Sequence, residues 1–152
     1  MGMDDLYQEI ILDHYRNPRH RGPVADAEVK AEESNPSCGD HIRIFVRLDA
    51  GGRIAEIRHD GDGCAISMAS ASMMSEFAMG RSPGEFRAGA DAFIACLRGE
   101  REALPDGLED VEPLSGVRRF PMRVKCATMC WHAMKHALES LQGTPGASPA
   151  QT

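Results

Sequence analysis

In HIRIFVRLDAGGRIAEIRHD, residues 41–60, apolar and charged side chains alternate, then stop at a turn, then resume. Ile42, Ile44, Val46 and Leu48 take every second position, with Arg43 and Arg47 between them, which is the period of a half-buried strand. Asp49-Ala50-Gly51-Gly52 supplies turn chemistry, and Arg53 to Asp60 is predicted to return as a second strand. That return alternates poorly, so its register is left open. Upstream, Val29 to Ser34 reads as a third strand. Outside this sheet the period changes to that of helices. A first helix carries Asp4 and Asp5 at its start and Leu6, Tyr7, Ile10, Ile11 and His14 on one face, and Asn17-Pro18 ends it. After a Gly61-Asp62-Gly63 loop, Cys64 to Met79 has helical length and small residues suited to close approach to the sheet. Ser82-Pro83-Gly84-Glu85 is a capping box with proline at the first helical position, and Phe86, Ala90, Phe93 and Leu97 follow at helical spacing up to Gly99. Leu108, Val111 and Leu114 suggest a short helical turn. A last helix from about Arg123 to Leu141 puts Ala127, Trp131, Met134, Leu138 and Leu141 on one stripe. One helix, then strands, then helices reads as an α+β fold, a small antiparallel sheet of about three strands packed against several helices. A single domain is expected over residues 1–142. Gly, Pro, Ser and Ala dominate 143–152, which are expected to be a disordered tail.

The composition narrows the function classes. The chain has 152 residues, 42% of them hydrophobic and 26% charged, which suits one globular domain with a real core. Its formal charge is -6, and no Lys/Arg stripe runs along any element, so nucleic acid is not an expected partner. No apolar run reaches membrane-spanning length, and the acidic start lacks the layout of a signal peptide. The expected location is the cytoplasm. The basic loop from Arg16 to Arg21 reads either as a solvated turn or as a docking surface for an acidic partner.

Five cysteines remain to be explained, an odd number that rules out a complete disulfide framework. Cys38 lies in the loop Asn35-Pro36-Ser37-Cys38-Gly39-Asp40, with the Asp40 carboxylate two residues on. Cys64 follows Gly61-Asp62-Gly63 at a helix entry, where unpaired N–H groups and the helix dipole attract negative charge. Cys126 is preceded by Arg123 and Lys125, and is expected to open the last helix. Three independent packed thiols would not need such surroundings, whereas a shared metal explains them. Cys38, Asp40, Cys64 and Cys126 would offer three sulfurs and one oxygen, a set compatible with tetrahedral zinc. Thiolates also hold iron–sulfur clusters, so the ligand type leaves the metal open. Arg123 and Lys125 would offset the excess negative charge. Cys96, flanked by Phe93 and Leu97, reads as a packed thiol. Cys130 borders the apolar stripe one turn beyond Cys126, and reads as core unless it turns toward the metal. His132 and His136 read as the polar edge of the last helix.

LYQEIILDHYRNPRHRG, NPSCGD, GDGCAISMASASMM and FPMRVKCAT, in this order, together resemble the SufU family of U-type iron–sulfur assembly proteins, relatives of the IscU scaffolds. The resemblance runs from about Leu6 to Leu141. Lys125, standing where the scaffold branch has histidine, and the extra stretch around the Phe86–Leu97 helix point to the SufU branch. The resemblance implies that Cys38, Asp40, Cys64 and Cys126 bind zinc and that Cys38 accepts sulfur from a PLP-dependent cysteine desulfurase of the SufS type. It further implies that a desulfurase histidine takes the place of Cys38 on the zinc, freeing the Cys38 thiolate to attack the donor persulfide. The sulfur would then pass to downstream iron–sulfur assembly proteins, and the PLP would belong to the partner. The chain departs from the family pattern at Cys130, where relatives usually carry no thiol. Cys130 thereby becomes a candidate second acceptor or alternative ligand. The rival reading is a scaffold that builds an iron–sulfur cluster and hands it on.

Overall fold

The computed structural model describes residues 3–22, 29–35 and 39–141. Helix α1 (Met3–Arg16) is followed by strands β1 (Val29–Asn35), β2 (Asp40–Leu48) and β3 (Ile54–Asp62). Helices α2 (Ala65–Ala78) and α3 (Pro83–Leu97), a 3-10 segment (Glu109–Arg119) and helix α4 (Pro121–Leu141) complete the chain. The strands form one antiparallel sheet in the order β1-β2-β3. The α+β fold expected from the sequence is therefore the fold observed. The expected tail, 143–152, lies outside the described residues.

The hairpin of residues 41–60 forms as its alternation predicts, with Ile42, Ile44 and Val46 fully buried. The weak alternation of its return strand has a local cause. Arg47 pairs with Glu56 but Leu48 pairs with Ile54, so Ala55 is an extra residue, a β-bulge. Ile54 falls out of phase with Ile57 and His59, and all three side chains can still turn inward. Strand β3 also runs further than expected. Gly61 and Asp62 belong to the sheet, opposite Ile42 and His41, and are not a loop. A Cβ on Gly61 would lie 2.1 Å from the His41 carbonyl oxygen, so only glycine lets the strands close there.

The segment after α1 covers the free edge of β3, which would otherwise expose unpaired backbone groups. His59 N–H donates to the His20 carbonyl, and Gly22 N–H donates to the His59 carbonyl. Arg19 of this loop pairs with Asp13 at 2.7 Å. The buried His14 ring lies 2.8 Å from the Ser72 hydroxyl, which also accepts the Arg19 N–H. The basic loop is thus fastened to the sheet and to α2 through its backbone.

Helix α4 lies across β1 and β2, while α2 sits between α1 and α4 and meets the sheet at β3. The small residues of α2 therefore serve mainly helix–helix contact, where contact with the sheet was expected. Ser70, Ser72 and Ser75 are fully buried, and each hydroxyl is hydrogen-bonded. The capping box of α3 forms as predicted. Glu85 N–H donates to the Ser82 hydroxyl, and Ser82 N–H donates to the Glu85 carboxylate. Helix α3 is held by an aromatic cluster in which Trp131 stacks on Phe93 at 4.4 Å and on Phe86 at 5.7 Å. Leu108, Val111 and Leu114 are buried along the 3-10 segment, which is longer than the single turn expected. No helix among the described residues is long and apolar enough to cross a membrane.

Candidate metal centre

Antiparallel pairing builds the site. Because β2 and β3 run in opposite directions, the first residue of β2, Asp40, lies beside the end of β3 and the entry to α2. Asp40 is buried there, and its Oδ1 accepts the Cys64 N–H at 2.9 Å. Its Oδ2 stands 3.8 Å from Cys64 Sγ. Cys64 is the N-cap of α2, and its sulfur accepts the N–H of Ser67 at 3.4 Å. A cysteine here does what serine or aspartate usually does at a helix start, giving a partner to an amide that the helix leaves unpaired. Gly63 makes the approach possible, since a Cβ at this position would meet Asp40 Oδ1 at 2.8 Å.

Helix α4 brings the third donor. The donor atoms of Asp40, Cys64 and Cys126 all lie within 4.8 Å of one another. Donors at zinc bond lengths of ~2.3 Å for sulfur and ~2.0 Å for oxygen stand about 3.5–3.8 Å apart in a tetrahedron. The three residues can therefore gather on one ion with small side-chain adjustments. The Ser67 hydroxyl adds a second sign of an incomplete polar site. It is buried and has no hydrogen-bond partner among the described residues, a condition that costs about 1–3 kcal/mol unless something is bound nearby. Cys38, two residues before Asp40, lies outside the described residues.

One expectation about the surroundings needs correction, and the reading left open for Cys130 is decided in favour of the core. Helix α4 starts at Pro121, so Cys126 stands beyond its first turn and does not open it. The dipole effect fades within the first turn, and the N-terminal amides of α4 do not act on this sulfur. Arg123 and Lys125, both exposed, remain as nearby cations. Cys130 is drawn away from the donors. It is 1% exposed, and its thiol donates to the Ser70 hydroxyl, which also accepts the Trp131 indole N–H. Burial pushes the Cys130 thiol up to about 12, so it stays protonated in the core. Cys96 is buried at 1% exposure on α3, as expected of a packed thiol. His136 pairs with Glu33 of β1 at 3.1 Å, and His132 is half-buried on the same helix. The residues missed at the sequence level are Ser67 and Gly63. Ser67 was signalled by its place three residues after an N-cap.

Comparison with known proteins agrees with this fold. Residues 6–87 match the NifU-like N-terminal domain. The chain is 38% identical over 141 residues to the zinc-dependent sulfurtransferase SufU of Bacillus subtilis, covering 93% of this chain and 95% of that one. It is 37% identical over 137 residues to the iron–sulfur cluster assembly scaffold protein IscU of Streptococcus pyogenes, covering 90% and 85%. A solved structure from Fervidobacterium islandicum, described as a candidate iron–sulfur cluster assembly scaffold for the SUF system, superimposes with a TM-score of 0.79. That structure is 28% identical and covers 90% of this chain and 99% of its own. The chain belongs to the NifU-like N-terminal domain family, among its SufU- and IscU-like members.

Proposed function

We propose that this chain is a zinc-dependent sulfur acceptor and carrier, which takes persulfide sulfur from a PLP-dependent, SufS-type cysteine desulfurase for iron–sulfur cluster assembly. The observation that carries the reading is the convergence of Asp40, Cys64 and Cys126 within 4.8 Å, in a chain so similar to a zinc-dependent sulfurtransferase. Cys38 is the fourth donor and the acceptor in this proposal. It stands two positions before Asp40, a chain reach of about 7 Å. Zinc, when bound, keeps the cysteine sulfurs deprotonated and restrained.

The chain's own residues then do the following. Asp40, fixed by the Cys64 amide, presents one carboxylate oxygen to the centre. Ser67 N–H holds the Cys64 sulfur in place. Cys38, as a thiolate, attacks the terminal sulfur of the desulfurase persulfide. A new S–S bond forms on Cys38, the partner's S–S bond breaks, and the partner's cysteine leaves as a thiolate. No net oxidation or reduction is required. Cys130, protonated and closed off by Ser70 and Trp131, takes no part as an acceptor.

A labelled-sulfur transfer assay tests this reading. The full chain, mixed with a SufS-type desulfurase and labelled cysteine, should gain label on the peptide containing Cys38, and Cys38→Ala should gain none. Full stimulation of the desulfurase by that variant would remove Cys38 from the role. The near-equal identity to a scaffold, 37%, keeps a second reading in play, in which a cluster is assembled and handed on. Lys125 argues against it, since an ammonium cannot replace an imidazole ligand. Anaerobic purification separates the two: a brown, zinc-poor protein belongs to a scaffold, and a colourless, zinc-loaded one to a sulfur carrier.

A further inference from the structure

Asp40, Cys64 and Ser67 form a box at the start of α2 in which one polar group is left over. In the usual capping box the third helical residue carries a side chain that reaches back to accept the N-cap amide. Ser67 holds that third position and brings no carboxylate. The carboxylate comes from β2 instead. Asp40 Oδ1 accepts the Cys64 N–H at 2.9 Å, at a helix whose first turn has no acidic residue of its own. The Cys64 carbonyl accepts the Met68 N–H, and its sulfur accepts the Ser67 N–H. Ser67 Oγ is the group that remains. Ser67 is 1% exposed, and this oxygen has no partner among the described residues. A helical serine can donate back to the carbonyl four residues earlier, as Ser75 does to Ala71. Ser67 does not. Its hydroxyl lies toward the carboxylate, because one point, the place of a Cβ on Gly63, is 2.8 Å from Asp40 Oδ1 and 3.2 Å from Ser67 Oγ.

We propose that Ser67 is a positioning residue of the metal centre, whose hydroxyl donates to the Asp40 carboxylate when the donors close on an ion. The inference rests on the metal centre of the proposed function and adds to it the group that orients its oxygen donor. The donor atoms of Asp40, Cys64 and Cys126 lie within 4.8 Å of one another and must approach to about 3.5–3.8 Å on zinc. A turn about the Ser67 Cα–Cβ bond lets the hydroxyl follow the carboxylate as it moves. With Oδ1 held by the Cys64 amide and the Ser67 hydroxyl, Oδ2 is the oxygen left for the ion, on the side of Cys64 Sγ. Hydrogen bonds that orient a metal-binding carboxylate commonly change affinity about 10- to 100-fold. The energetic effect has opposite signs in the two forms of the chain. A buried hydroxyl without a partner opposes folding, whereas a hydroxyl donating to an ionised carboxylate favours the loaded form.

The test measures zinc affinity of the full chain by competition with a chromophoric chelator, and Tm of the metal-free chain by calorimetry. Ser67→Ala is compared with wild type and with Ser75→Ala, which removes another buried hydroxyl of α2, one already bonded to its own helix. Ser67→Ala should bind zinc about tenfold more weakly or worse. Its metal-free Tm should equal or exceed that of wild type, because an unpartnered hydroxyl is gone and alanine is the better helix former. Ser75→Ala should keep wild-type zinc affinity. An equal loss of affinity in Ser75→Ala would overturn the assignment. So would a metal-free Tm of Ser67→Ala below that of wild type, since the hydroxyl would then be bonded without the ion. If wild type binds zinc and Ser67→Ala binds it as tightly, the Ser67 assignment falls alone. If wild type takes up no zinc, the metal-centre reading falls and carries Ser67 with it.

Discussion

Replacing Gly63 by alanine adds a single methyl group at the point where β3, α2 and Asp40 meet. The new Cβ would stand 2.8 Å from Asp40 Oδ1, 3.1 Å from its Cγ and 3.2 Å from the Ser67 hydroxyl. An ordinary contact needs about 3.4 Å or more, so the carboxylate must recede by roughly 0.6 Å. It has little room to do so, because Asp40 is 2% exposed and its Oδ1 is held by the Cys64 amide at 2.9 Å. Moving it lengthens that bond to about 3.5 Å, past the useful range. Overpacking of this kind costs about 1–3 kcal/mol, and for a chain of this size that lowers Tm by roughly 3–10 °C. The displaced carboxylate should also lower zinc affinity about 10- to 100-fold, as loss of a ligand-orienting contact commonly does. Competition with a chromophoric chelator measures the affinity, and calorimetry of the metal-free chain measures Tm. Gly84→Ala is the control, since its nearest neighbour would be the Ser82 hydroxyl at 4.0 Å. A Gly63→Ala protein with wild-type Tm and wild-type zinc affinity would refute the packing argument for the site.

Other expectations follow from the buried thiols and imidazoles. In the native chain Cys130 should resist alkylation at pH 8 long after Cys64 has reacted in the metal-free form, as read by peptide mass spectrometry, because burial keeps its thiol protonated. Cys96→Ala should leave zinc content intact and lower stability by about 1–2 kcal/mol in a urea titration; loss of metal would overturn its role as a packed thiol. His14 and His59 both titrate below the ordinary value of 6.5, chiefly because burial disfavours the charged ring. The unfolded chain therefore takes up protons first as pH falls through 6.5, so these rings make stability decline below that pH and leave it flat above. Equilibrium denaturation between pH 5 and 8 should show that slope, and His59→Gln should flatten part of it.

The local signals in the sequence that proved reliable are those with a short-range cause. The alternation of Ile42, Ile44 and Val46, the Asp49–Gly52 turn and the Ser82–Glu85 capping box each depend on neighbours a few residues away, and each forms as written. What stayed hidden depends on pairing across the chain. Gly61 reads as a breaker in isolation, yet it lies in β3 because Ile42 supplies its partner and because the absence of a side chain lets the His41 carbonyl approach. The bulge at Ala55 follows from registering two strands, a relation no single strand encodes. At the site, the grouping of Asp40, Cys64 and Cys126 was legible from the loop and helix-entry contexts of the first two and from a family resemblance, while the helix entry expected at Cys126 was not observed. The start of α4 at Pro121 was missed although proline at a first helical position is itself a start signal, because Phe120 before it offers no capping side chain and exposed Met122 carries no core period. The fate of Cys130 turned on Ser70, sixty residues away, whose hydroxyl is the partner of its thiol.

Zinc K-edge X-ray absorption on the freshly isolated full chain tests the central claim most directly. Three sulfur neighbours at about 2.3 Å and one oxygen at about 2.0 Å are expected, and Cys126→Ser should remove one sulfur from the count. A shell of oxygen and nitrogen alone, or a sulfur count untouched by that substitution, would contradict the metal centre from which the rest is built.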